Sequence, residues 1–188
     1  MSTSAGRKPR TDAERNRSRV LQVAGELFAA RGDAVQMADV AKAAGVGIGT
    51  VYRHFPTRQA LVAAVAEERF AGILRHAREE CLSLPDTRQA LVGFLDAIGR
   101  THEAGRGVSG AIEATFGNTE PSGEVGAQLL DIGEQLLARG QADGTVRGDA
   151  GVSDLYMIAG AVAALSRNAV GDWRRFIDLA LDGLRPQR

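Results

Sequence analysis

Residues 36–55, QMADVAKAAGVGIGTVYRHF, constrain this chain more than any other stretch. Met37, Val40, Ala41 and Ala44 recur at helical spacing, which predicts a short helix over 37–44 with one apolar face. Gly45 supplies its C-terminal stop, because a residue without a Cβ enters the left-handed region at little cost. A second helix, roughly two turns long, starts at 47 or 48. Val51 and Phe55 form its inward face. Thr50, Arg53 and His54 face outward, with Tyr52 at the edge. A helix this short is marginal alone. A helix-turn-helix gives such a helix a use, by setting it in the DNA major groove. On the pattern alone, an ordinary helical corner fits as well.

The exact string narrows the choice. D-V-A-K-A-A-G-V, then G-T-V-Y-R-H-F-P, then T-R-Q-A-L-V resembles the DNA-binding domain of the TetR (tetracycline-repressor) family of regulators. The resemblance covers about 14–73 and includes L-F-A-A-R-G at 27–32. It implies DNA-side roles for Gln36, Lys42, Gly47, Ile48, Gly49, Thr50, Tyr52, Arg53, His54 and Arg58. Tyr52 and His54 would touch phosphate, as would a backbone N–H at the positive end of the following helix. Ile48, Gly49 and Thr50 would lie nearest the bases, where Ile48 suits a thymine methyl. The chain also departs from the family: Gln36 replaces a usual Thr, Ala38 a usual Arg and Gly47 a usual Ser. Glycine is an acceptable cap but brings no hydroxyl.

Charge is zero overall but uneven. Residues 1–60 carry ten Lys/Arg against five Asp/Glu, a surplus of +5, so the remainder carries −5. That asymmetry fits a nucleic-acid-facing head on an acidic body. The 44% apolar fraction is enough for a real core. One cysteine, Cys81, allows no internal disulfide and suits a reducing, cytoplasmic setting. No apolar run is long enough for a membrane span, and MSTSAGRKPR lacks the apolar core of a signal peptide.

The pattern predicts an all-α chain of nine helices: a three-helix head carrying the helix-turn-helix, then a C-terminal bundle that dimerises. A flexible basic arm is expected over 1–11, with a DNA-binding domain over 12–57. A ligand-binding and dimerisation domain follows over 58–188. The first helix runs about 12–31 on a stripe of Val20, Val23, Ala24, Leu27 and Phe28. After Pro56, Thr57 caps a long connector over 58–82, roughly 35–40 Å if straight. Further helices are expected at about 87–104, 107–117, 122–140, 152–169 and 172–184.

The eighth helix is apolar almost all round, so more than one of its faces must be buried. In the family that the head resembles, the last two helices pair with those of a second copy. This makes Leu155, Ala159, Val162, Ala163, Trp173, Ile177, Leu181 and Leu184 the expected dimer interface. A monomer with a deeply buried eighth helix is the alternative. A small-molecule cavity is expected among the fourth to eighth helices. Phe70, Ile73, Leu74, Phe94, Ile98, Phe116, Leu129 and Met157 would line it, and His102 and Thr115 would orient the guest. No charge cluster lies on the inward stripes, which favours an apolar or weakly polar guest.

The three histidines sit at no metal-ligand spacing, and neither a phosphate loop nor a nucleophile elbow occurs. No catalytic residue, metal or cofactor is expected, only an unidentified small-molecule effector. The favoured reading is a dimeric, sequence-specific transcriptional repressor, released from a palindromic operator by that effector. A ligand-independent DNA-binding activator or architectural protein remains open. So does a helical enzyme or carrier whose head only resembles the motif.

Overall fold

The computed structural model describes residues 8–186. Among them are nine α-helices and no strand: α1 Lys8–Arg31, α2 Met37–Ala44, α3 Ile48–His54, α4 Arg58–His76, α5 Thr87–Ala104, α6 Arg106–Phe116, α7 Gly123–Asp143, α8 Val152–Asn168 and α9 Trp173–Gly183. Most of the expected arm, 1–7, lies outside the described residues. From Lys8 the backbone is already helical, ahead of the expected start at 12. Nothing from Lys8 to Asp12 breaks a helix except Pro9, and a first turn tolerates proline because its N–H would have no partner there. No described helix is long and apolar enough to cross a membrane.

The chain divides into two compact units, which are not the two expected from sequence. The first holds residues 1–66 together with 107–118, and the second holds 67–106 with 119–188. Two segments therefore leave the expected body. The front half of α4 belongs with the head through Leu61, Val62 and Val65, and α6 belongs there through Val108, Ala111 and Ile112. All six are buried in one apolar cluster with Val20, Ala24, Phe28, Val40, Val51 and Phe55. Gly107 makes the α6 contact possible. A Cβ there would overlap the carbonyl oxygen of Phe28 and stand 2.6 Å from that of Ala29, so only glycine lets these backbones meet.

In the second unit α5 lies against α7, α8 and α9. Asp86 caps α5 by accepting from the Gln89 N–H at 2.9 Å. Asp172 caps α9 by accepting from the N–H groups of Arg174 and Arg175. Trp173 is buried against Gly99 of α5, where a Cβ would collide with the indole ring. The connector helix does not stay α-helical to 82. It ends at His76, and Ala77–Cys81 form a π turn closed by the Leu82 N–H on the Ala77 carbonyl at 3.0 Å. Cys81 is buried there, and burial raises its thiol pKa, with Glu80 adding to the effect. α7 continues past Gly140, which is buried in its last turn against Val146 and Thr87, and stops at left-handed Gly144.

Candidate nucleic-acid interface

The helix-turn-helix forms for local reasons. Asp39 accepts from the Gln36 N–H at 3.0 Å, so the third residue of α2 does the capping expected of the residue before it. That bond, helped by Arg31 at 3.2 Å, lowers the Asp39 pKa. Gly45 is left-handed at φ 67°, and the Val46 N–H returns to the Ala41 carbonyl at 3.0 Å, closing α2. Gly47 is extended and starts α3. Val51 at mid-helix and Phe55 just past its end are buried and fix α3 to the core. Thr57 then caps α4 by accepting from the Ala60 N–H at 3.0 Å.

This framework leaves one side of α3 in solvent. Ile48 is 44% and Tyr52 48% exposed, so two side chains with large apolar surface stand in solvent on one short helix. Gly47, Gly49 and Arg53 are exposed beside them, and Thr50 and His54 are half-buried. Gln36 and Lys42 of the preceding segment are exposed too, so these nine of the ten residues named from sequence keep surface that DNA can reach.

Arg58 is different, and the expectation that it serves DNA does not fit its bonding. Its Nη2 donates to the Asp33 carboxylate at 2.7 Å and to the Asp33 carbonyl at 2.8 Å. Its Nε donates to the Val35 carbonyl at 3.1 Å, and its guanidinium lies over the Phe28 ring. The side chain is a tie between α4 and the α1–α2 connection. The sequence hid this because its partners lie more than twenty residues away. Sequence alone also gave no site role to Arg17 and Arg19. Arg17 lies over the Phe55 ring at 5.3 Å, and the Arg19 Nη2 lies 3.6 Å from where a Cβ on Gly45 would stand.

The residues expected at a dimer interface divide in two. Leu155, Val162, Trp173, Ile177, Leu181 and Leu184 are buried inside the second unit. They are core residues of the protomer and offer a partner no surface. Ala159 and Ala163 are half-buried. α8 and α9 instead expose Met157, at 69%, and Leu179, at 55%, with half-buried Ala161, Leu165, Phe176 and Ala180. The reason is periodicity. An all-apolar helix gives no sign of which face its own core takes.

The ligand candidates are divided as well. Thr115 and Phe116 belong to the first unit and the other eight to the second. Phe116 and Met157 are exposed, and the Thr115 hydroxyl donates to the Ala111 carbonyl at 2.7 Å. Phe70, Ile73, Leu74, Phe94, His102 and Leu129 are buried, and Ile98 is half-buried. The inward side is also not free of charge. Arg69 donates to the carbonyls of Thr101 at 2.8 Å and Gly105 at 3.3 Å. Burial, with Arg167 contributing, draws its pKa down to about 10. His102 is drawn down to about 3 by burial, then by Arg69 and Arg167, so its imidazole is neutral at neutral pH.

A short helix held by its neighbours, with exposed uncharged and cationic side chains on its outward face, defines a helix-turn-helix DNA-binding protein. Residues 20–65 match the family described as bacterial regulatory proteins, tetR family, and residues 86–186 match the transcriptional regulator SbtR-like C-terminal domain. The chain belongs to the TetR family of transcriptional regulators. A TetR transcription regulatory protein from Mycobacterium vanbaalenii is 40% identical and superposes with a TM-score of 0.64, over 94% of this chain and 99% of that one. The regulator SCO0520 from Streptomyces coelicolor is 27% identical, with a TM-score of 0.66 over 92% and 99% of the two chains. The HTH-type transcriptional regulator SAR0097 of Staphylococcus aureus is 38% identical over 65 residues, which is 34% of either chain.

Proposed function

We propose that this regulator is a homodimeric repressor that occupies a roughly palindromic operator and leaves it when a small molecule binds the second unit. The outward face of α3 carries the reading, since Ile48 and Tyr52 stand in solvent on a helix otherwise fixed to the core. Ile48, Gly49 and Thr50 read base edges, while Tyr52, Arg53 and His54 hold phosphate. Lys42 and Gln36 serve the same backbone from α2. The second copy packs on the face that carries Met157 and Leu179. Two-fold symmetry then sets half-sites about one helical turn apart.

The effector sits against His102, among Phe70, Phe94 and Leu129. Neutral His102 can accept or donate one hydrogen bond, and the Arg69 and Arg167 charges favour a guest with an electron-rich or anionic group over a cation. The guest releases DNA only if it prefers a conformation whose heads no longer fit the site. Operator DNA must then weaken the guest by the same factor. No enzymatic step is assigned to the chain, and a cytoplasmic location fits a DNA-binding role.

A genome-wide map of bound DNA, followed by titration of the mapped duplex against a metabolite panel, tests the reading. Specific binding abolished by one compound is expected. Binding insensitive to every compound would make the protein a ligand-independent activator or architectural protein. Met157→Glu should turn a sedimenting dimer into a folded monomer. A wild type already monomeric at micromolar concentration would end the dimer proposal.

A further inference from the structure

Five arginines of the first unit whose side chains are described lie on α1 or at the start of α4, apart from Arg53 on α3 itself, and they differ in their partners. Arg15, Arg31 and Arg58 are tied to Asp12, Asp39 and Asp33 at 3.8, 3.2 and 2.7 Å. Arg17 and Arg19 are exposed, and among the described residues neither meets a carboxylate within ion-pair distance. Both lie outside residues 20–65, the part that matches the tetR-family DNA-binding domain.

Their placement is not that of two arbitrary surface cations. Two residues apart on a helix, they point about 200° from one another. Both nevertheless reach the helix-turn-helix. Arg17 lies over Phe55, immediately past the C-terminal end of α3, and Arg19 lies at Gly45, in the turn that precedes α3. The seven-residue α3 is thus bracketed by guanidinium groups from α1, one toward each end. A major groove is about 12 Å wide with phosphates along both rims. A short helix seated in it brings cations near its two ends toward those rims.

We infer that Arg17 and Arg19 are phosphate contacts, reaching the DNA backbone on either side of the groove that α3 enters. The inference rests on α3 as the recognition helix. It adds two positioning residues, which strengthen binding without choosing sequence.

Salt dependence tests it, because deleting a cation that neutralises one phosphate lowers the slope of log affinity against log salt by about 0.9. The probe is a fluorescein-labelled duplex of mixed sequence, long enough for two half-sites. Arg17→Gln and Arg19→Gln each remove one cation from both protomers of the dimer, so each should lower the slope by about 1.8 and weaken binding roughly sixtyfold at about 0.1 M salt. Arg17→Lys should keep the slope, and Arg75→Gln, on an exposed site of the second unit, should leave it unchanged. Melting temperatures separate packing from phosphate binding. If Arg17→Gln lowers the melting temperature but leaves the slope intact, Arg17 only packs on Phe55 and the inference fails for it. Unchanged slopes in both glutamine variants, with Tyr52→Ala still weakening binding, overturn the inference and leave α3 standing. A wild type that binds no duplex at low salt overturns both.

Discussion

The core of the first unit is an apolar cluster running from Val20 to Ile112, and the arginines around it stay at its surface. Among the described residues the first unit buries one polar side chain, Ser109, whereas the second buries His102, Thr87 and Ser166 and draws Arg69 and Arg139 half inside. There the Arg139 Nε donates to the Thr87 hydroxyl at 3.0 Å, and that hydroxyl donates to Asp143 at 2.5 Å. The two designs do different things. A mostly apolar, close-packed core has one arrangement and transmits strain, which suits a frame that must hold a seven-residue helix still. An interior with titratable and hydrogen-bonding groups can be rearranged by a proton or a polar guest.

The sharpest way to break the comparison is to damage the apolar core of the first unit. Phe28→Ala removes a fully buried ring under the Arg58 guanidinium and should cost about 3–5 kcal/mol in urea unfolding. Duplex binding should fall with it. A cost under about 1 kcal/mol would mean that the cluster repacks and is no rigid frame.

Acid should act on the second unit. His102 gains its proton near pH 6.5 in the unfolded chain and near 3 when folded. Above the higher value both states are neutral and the group contributes no pH dependence. Between the two only the unfolded chain binds the proton, so stability falls as pH falls, by at most about 1.4 kcal/mol per pH unit. Hydrogen exchange from pH 7 to 4 should show α5 peptides losing protection, and His102→Asn should flatten that decline. An equal decline in α2 peptides would erase the contrast.

Two smaller substitutions sharpen the picture of the first unit. Arg58→Met removes the ties to Asp33 and Val35 and should cost about 1–3 kcal/mol of stability. The salt slope of duplex binding should not change, because this arginine is occupied within the protein; a slope lowered by about 1.8, one contact from each protomer, would return it to the DNA. Gly47→Ser restores a capping hydroxyl where a Cβ meets nothing within 4 Å. It should raise stability by a few tenths of a kcal/mol. A decrease measured by the same urea unfolding would mean that the extended Gly47 backbone resists a side chain.

Much of this was legible locally. The α2 stripe, the Gly45 stop, the outward α3 face and the Thr57 cap each follow from residues within one or two turns. The boundary at Lys8 was missed because the flanking composition looked like a tail, although nothing in it forbids a helix. The candidate dimer residues are a different case. Leu155, Val162 and Ile177 repeat at helical spacing, but periodicity identifies an apolar face and not what covers it. In α8 the same pattern serves the protomer's own core on one side and leaves Met157 in solvent on another.

The sequence by itself determined the all-α class, the order of nine helices and the short helix that faces outward, because capping, turns and apolar periodicity act within a few residues. Only the tertiary structure decided the rest. α6 joined the head because Gly107 lets it touch the backbone of α1. Arg58 was withdrawn to Asp33 while Arg17 and Arg19 were set beside α3. His102 lost its charge to burial near two arginines. Each of these outcomes depends on which distant residues meet in space, and their partners lie tens of residues apart along the chain.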